Sequence, residues 1–534
     1  MLYLVAAVLV PLALYLYLYP LREARLPYKN LPGPKPVSGF FGSLGELTAR
    51  PLTSRYSQLK DNYGTTSRFR ALLGKWRIVS TDLTAITHVL RHTGTWHRHE
   101  TFNVMIDRIT GRGVLSVEDE DHRRQRRILN SAFNGTAVNN MVPMFWEEGR
   151  ILRDHIDQQL GGDEAKPLDV LQNYTGIALS IIGRAGFNYD FQSHERDTNP
   201  LAVAFNNMIN ASLENKMAAL LQNVFALPFN ISPTSHFAQK KSRSIVDSIG
   251  AQIVRNRKAE IERDHISLEK GDYEGKDVIS LCLRANMLAD QRDRLTDAEV
   301  MGQIGALMLA GNETSANALS WATYHLCQNK DIQNRLREEV MAVPDEPSGE
   351  ELDAIPYLDQ FVKELLRFEP PLPQVVRQAS EDTVIPLGQP VTGRDGKLMT
   401  EVHVSKGTDF VVPINLVNRL PEIWGPDAET FNPDRWAQKG YPNTYIPGVW
   451  GNLLSFIGGP HHCLGFRFAL LEIKAVLFVM VRNYEFDFIP QGPQVMRIAP
   501  GIIQRPVVMG NEKAGIQMPV MVKKLSAEVR EQAA

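Results

Sequence analysis

Apolar residues recur at spacings of three and four through the middle of the chain, and this periodicity predicts helices over 140–162, 170–185, 200–222, 236–265, 296–327 and 356–368. An apolar run from about Phe466 to Val481 predicts another. Shorter runs suited to a pleated surface, Lys75 to Ser80 and Phe410 to Ile414, predict small sheets beside the helices. No internal repeat appears between residues 40 and 520, and no polar linker is long enough to divide them. The expected fold class is mainly α with minor β, in one large domain over 40–520 with a polar tail over 521–534.

The amino terminus has a different texture. Leu2 to Tyr19 is uncharged and rich in Leu, Val, Ala and Tyr, at the short end of what crosses a bilayer as a helix. Pro11 is tolerated in such a helix, and Tyr15, Tyr17 and Tyr19 suit its interface. Arg22, Arg25 and Lys29 follow and nothing basic precedes, so 2–19 reads as a transmembrane anchor with the body in the cytosol. A cleaved signal peptide would need a basic start and a small-residue cleavage site, and this segment has neither. The prolines of Leu31-Pro-Gly-Pro-Lys-Pro36 cannot continue a helix, so 20–39 reads as a basic, proline-rich hinge, a stiff spacer.

Composition then narrows the function. Hydrophobic residues at 43% and charged residues at 22% exclude disordered and low-complexity classes. The 58 Lys and Arg against 60 Asp and Glu leave a net charge of −2, which draws the chain to no nucleic acid. Three cysteines, Cys282, Cys327 and Cys463, lie far apart, which excludes a disulfide framework and a CxxC zinc site and fits a reducing compartment.

Two segments carry candidate chemistry. Thr296-Asp-Ala-Glu299 is a capping box, and the helix it opens would span roughly 45 Å. At its centre stands Ala310-Gly311-Asn312-Glu313-Thr314-Ser315. Ala310 and Gly311 remove bulk where something flat could approach, and Glu313 with Thr314 could pass protons. Otherwise Gly311 serves helix packing and Glu313 faces solvent. The second segment, Phe456-Ile-Gly-Gly459-Pro-His-His-Cys463-Leu-Gly465, is a glycine-rich loop with a cysteine at a helix start. Backbone N–H groups and the helix dipole there favour a thiolate, the form that ligates a metal. Gly458, Gly459 and Gly465 permit tight turns and the close approach of a planar group. Cys282 and Cys327 read as small buried hydrophobes.

This loop fits FxxGxxxCxG, and the chain resembles the haem-thiolate monooxygenases, the cytochrome P-450 family. Further motifs follow in the family's order: Glu364-Leu-Leu-Arg367 is similar to its ExxR pair, and Phe431-Asn-Pro433-Asp-Arg435-Trp436 to its PERF segment. Ala310 to Ser315 resembles its oxygen-activation motif, His122-Arg-Arg-Gln-Arg126 stands at its WxxxR motif, and Arg377 stands where it has a propionate-binding arginine. His122 replaces Trp, His461 replaces Arg, and Ile457 stands where a small residue is usual.

The resemblance implies a cytochrome P-450 fold and haem b with Cys463 as axial ligand. It also implies haem contacts from His122, Arg126, Arg377, Phe456, Gly459, His461 and Gly465, and catalytic roles for Thr314 and Glu313. Glu364, Arg367 and Arg435 would form a buried structural triad. Electrons would come from NADPH through a separate NADPH–cytochrome reductase at the endoplasmic reticulum membrane, docking around Arg123, Arg124 and Arg127. Dioxygen and a hydrophobic small molecule would be the substrates. Val114, Leu115, Ala306 to Ala310, Leu372 to Val376 and Ile502 to Ile503 would line the pocket, and Leu220 to Phe229 would dip towards membrane lipid. The texture is similar to fungal members that tailor terpenoids or other secondary metabolites. Xenobiotic, fatty-acid or sterol hydroxylation, a reductase-independent isomerase, dehydratase or peroxygenase, and a haem sensor are the competing readings.

Overall fold

The helix through the middle of the chain, Asp297–Gln328, starts at the expected capping box. Thr296 Oγ1 accepts from the Glu299 N–H at 3.3 Å, and the Thr296 N–H donates to Glu299 Oε2 at 2.8 Å. Glu299 also takes the Arg124 guanidinium, tying this helix to Asp119–Asn130. Burial alone would raise the Glu299 pKa, but Arg124 and the Thr296 donors outweigh it and hold the carboxyl below its ordinary value. The computed structural model describes residues 17–49, 51, 54–191, 199–213, 233–266, 277–438, 441–490, 492, 494–499 and 502–526.

The chain packs as two compact units. No linker marks the division because each unit is assembled from segments distant in sequence. The first holds residues up to Glu100, Leu372–Ala428 and Pro442–Cys463. The second holds Thr101–Pro371, Glu429–Tyr441 and residues from Leu464 onwards.

The first unit is built on a five-stranded sheet in the order Thr66–Arg70, Trp76–Ser80, Asp409–Val412, Val375–Ala379, Trp96–Arg98. Both β runs expected from the sequence lie in it, side by side and parallel, with Ile78 opposite Phe410. Leu47, Tyr56, Leu59, Phe69, Val79 and Val411 form a hydrophobic cluster in this unit. The proline-rich hinge is not a free spacer. Tyr28 and Leu31 are buried, the Arg68 N–H donates to Pro32 O at 2.9 Å, and a Cβ on Gly33 would lie 1.9 Å from Arg68 O. The prolines do prevent a helix, and the extended chain they leave docks along the strand.

The second unit is helical around Asp297–Gln328, which packs on Val170–Phe187, Phe466–Asn483 and Pro233–Ile266. Helices Val142–Leu160 and Pro356–Phe368 match their predicted spans closely, and the predicted 200–222 helix is described as Pro200–Leu213. Three glycines explain how the central helix accepts its neighbour. A Cβ on Gly305 would lie 2.6 Å from Thr110 O, one on Gly302 2.9 Å from the Arg112 carbonyl carbon, and one on Gly113 2.6 Å from Gly302 O. Residues 110–113 therefore pass in backbone contact with the helix. The expected tail begins later than 521: Pro519–Lys524 is a strand paired to Ala165–Asp169 and Tyr484–Asp487, with Val520 and Val522 buried.

Residues 2–16 of the expected anchor and all of 220–229 lie outside the described residues. Among the described residues no helix is long and apolar enough to cross a membrane. Because backbone atoms face Gly305, Gly305→Ala should lower thermal stability by about 2 kcal/mol, read as a lower unfolding midpoint. A midpoint unchanged from wild type would mean that the close approach is not needed.

Candidate functional site: the cysteine loop and the central helix

In the first unit the chain from Phe456 turns back on itself. The Cys463 N–H donates to Phe456 O at 2.9 Å, the His462 N–H to Gly459 O at 3.1 Å, and the Val449 N–H to Ile457 O at 3.0 Å. Two glycines are obligatory. A Cβ on Gly458 would lie 1.5 Å from Pro447 O, and one on Gly459, at φ +70°, 2.0 Å from Leu90 O. Ile457 adopts φ +56°, a conformation that costs a β-branched residue about 1–2 kcal/mol. The result is an ordered loop that presents Cys463 exposed, while Cys282 and Cys327 are buried. Burial pushes both of those thiols up to about 12. His461 is buried in the same loop, and Arg377 is buried on Val375–Ala379.

Gly465 caps the following helix, Phe466–Asn483, and accepts from the Ala469 N–H at 2.9 Å. In the second unit His122 is buried and Arg126 half-buried on Asp119–Asn130. The basic face of that helix is not a set of free cations: Arg123 pairs with Glu120, Arg124 with Asp121 and Glu299, and Arg127 with Asp293.

The central helix is buried along most of its length, yet Ala310 is exposed and Glu313 and Thr314 are only partly buried. Ala310 therefore supplies the open, side-chain-poor surface. Gly311 does not: its missing Cβ would lie 2.6 Å from Ile182 Cγ1, so it serves packing. Thr314 Oγ1 donates to Ala310 O at 2.6 Å. Glu313 does not simply face water; its carboxylate is paired with Arg505. An exposed thiol on a glycine-built loop fits a thiolate-ligated planar group.

The expected triad is assembled within the second unit. Arg367 Nε and Nη2 each donate to Glu364 at 2.8 Å, and Arg435 Nε donates to Glu364 Oε1 at 3.0 Å. Sequence reasoning missed two further donors to the same carboxylate, Trp436 Nε1 at 3.0 Å and the Asn432 N–H at 2.8 Å. All three charged side chains are buried.

A second buried acid was also missed. Glu472 sits inside the apolar helix Phe466–Asn483, where an acid among Leu, Ile and Val is itself a signal. Ser315 Oγ, next to Thr314, donates to Glu472 Oε2 at 2.5 Å, while Oε1 has no partner among the described residues. Burial pushes the Glu472 carboxyl up to about 8, with the Ser315 bond opposing only in part.

Comparison with known proteins agrees with this geometry. The family description Cytochrome P450 matches residues 31–509. Cytochrome P450 monooxygenase 205 of Postia placenta is 33% identical over 94% of this chain and 93% of its own length. Cytochrome P450 monooxygenase 128 of the same fungus is 35% identical over 93% of each. Cytochrome P450 monooxygenase claQ of Ampulloclitocybe clavipes is 32% identical over 93% of each. The chain belongs to the cytochrome P450 family of monooxygenases, for which haem iron is the cofactor.

The position of Glu472 fixes a pH dependence. Its folded pKa lies above the ordinary 4.5, so the folded state binds the extra proton and stability falls as pH rises from about 5 to about 8, then levels. Glu472→Gln removes this loss. The unfolding midpoint of the variant should gain on wild type steadily across that interval, measured by thermal scans at several pH values; a gap that is constant with pH would contradict a neutral buried acid.

Proposed function

We propose that the protein inserts one atom of dioxygen into a hydrophobic small molecule, using NADPH-derived electrons from a separate reductase. The observation that carries this reading is the exposed Cys463 on its glycine-built loop together with the Glu313–Thr314 pair beside an exposed Ala310. Haem held by a cysteine thiolate supplies the iron centre that favours O–O cleavage. Cys463 would hold the haem iron through its thiolate, with Phe456, Gly459 and Gly465 shaping its surroundings. Arg126, Arg377, His122 and His461 would meet the two propionates with charge-assisted hydrogen bonds. Thr314 would turn its hydroxyl from Ala310 O to donate towards the dioxygen substrate, and Glu313 would return a proton to Thr314 Oγ1. Glu364, Arg367 and Arg435 do no chemistry; they hold the fold.

A lipophilic intermediate of secondary metabolism, with a terpenoid favoured, is the substrate class that the apolar expected linings support. Residues 2–19 would anchor the chain in the endoplasmic reticulum membrane beside its reductase. A reductase-independent isomerase or peroxygenase fits less well, because it has no need of the Glu313–Thr314 pair.

Two measurements test this reading. Microsomes containing the protein and reductase, given terpenes, sterols, fatty acids and aromatics, should yield NADPH-dependent addition of oxygen to a terpene. Product formed equally without NADPH would contradict it. Thr314→Ala should keep haem while product per NADPH consumed falls by about tenfold or more. Unchanged coupling would remove Thr314 from the proton path.

A further inference from the structure

The acid of the acid–alcohol pair is already engaged. Arg505 Nη2 donates to Glu313 Oε2, and the two side chains are only 12% and 19% exposed. Arg505 opens the strand Arg505–Val508, which pairs with Val495–Ile498 in a two-stranded sheet. Its base is fixed. The neighbouring Gln504 is buried, its N–H donates to Pro371 O at 2.8 Å and its Nε2 to Glu369 Oε2 at 2.8 Å. Glu369 is held in turn by Arg497 Nε at 2.9 Å and His325 at 3.1 Å. The guanidinium is therefore delivered to Glu313 by a rigid arm, whereas its own Nε is buried with no acceptor among the described residues. No other carboxylate pairs with it there, so the arginine is organised around Glu313 alone.

Leaving a guanidinium N–H buried and unpaired costs free energy, and a fold selected only for stability would give Arg505 a second acceptor or an apolar replacement. We propose that Arg505 is a latch on the proton path: it holds Glu313 in an ion pair, and Glu313 serves Thr314 only when that pair opens. This rests on the monooxygenase reading above and adds a positioning residue to it. A closed pair withholds protons from dioxygen while no substrate is present. Without the latch, one NADPH and one proton reduce dioxygen to hydrogen peroxide, two electrons passing from the nicotinamide to the oxygen and no product forming. Ile502 and Ile503 precede Gln504 and Arg505 in the chain, so a substrate pressing on them would act on the same arm.

The test uses full-length holoenzyme with reductase. Arg505→Gln should raise NADPH oxidation in the absence of substrate by about fivefold, which is roughly 1 kcal/mol at 1.4 kcal/mol per decade. Arg505→Lys, which keeps the charge, should restore the low wild-type rate. In a Glu313→Gln background, Arg505→Gln should change nothing further, because the latch acts only through that carboxylate. A substrate-free rate unchanged in Arg505→Gln, or raised equally in both backgrounds, would overturn the proposal. An independent arm reads the pair without turnover: unfolding midpoints of the two single variants and the double variant should be non-additive, and additive shifts would also overturn it. If no variant oxidises NADPH at all, the monooxygenase reading fails instead, and the unfolding cycle still decides whether the pair exists.

Discussion

The buried carboxylate of Glu364 is the constraint on which the second unit depends. It receives donors from Arg367, Arg435, Trp436 and the Asn432 backbone, so a helix and a distant segment converge on one side chain. Both guanidiniums reach further, Arg367 Nη2 to Thr430 O at 3.1 Å and Arg435 Nη2 to the same oxygen at 3.2 Å. Removing one member would strand the remaining charges away from water, a loss of about 3–5 kcal/mol. The segment so held, Glu429–Tyr441, leads along the chain into Pro442–Cys463 and the ligand loop. A commonplace i,i+3 pair on a helix surface becomes, once buried and multiply bonded, a fixed point of the fold.

A second theme is the use of missing side chains. Gly302, Gly305 and Gly311 are spaced along the central helix, and each faces a neighbour that a Cβ would strike. Gly302 and Gly305 bring helix and loop into contact and Gly311 makes room for Ile182 of the neighbouring helix, leaving Ala310 as the small residue with open space beside it. Around that opening three polar side chains are committed: Thr314 to Ala310 O, Glu313 to Arg505, Ser315 to Glu472. Helix stability and chemistry therefore draw on the same few hydroxyls and acids.

Much of this was legible because the decisive signals are local. The Thr296–Glu299 capping box, the Glu364–Arg367 spacing and the glycines before Cys463 each lie within a few residues, and the helix spans follow from periodicity. What escaped is long-range. Nothing in the sequence joins Arg505 to Glu313, 192 residues away, or gives Arg123, Arg124 and Arg127 their acidic partners. The hinge prolines announced an extended chain but not the burial of Leu31, which depends on Arg68. The late strand was visible in the alternation of Met518, Val520 and Val522 and was obscured by the lysines that follow.

The account stands or falls on Cys463 as the haem ligand. The direct measurement is the reduced, carbon-monoxide difference spectrum of the wild-type protein and of Cys463→Ala. Wild type should give the red-shifted band of a thiolate-ligated haem, and the variant should lose it. The same band in Cys463→Ala would contradict the assignment of that loop and the mechanism built on it.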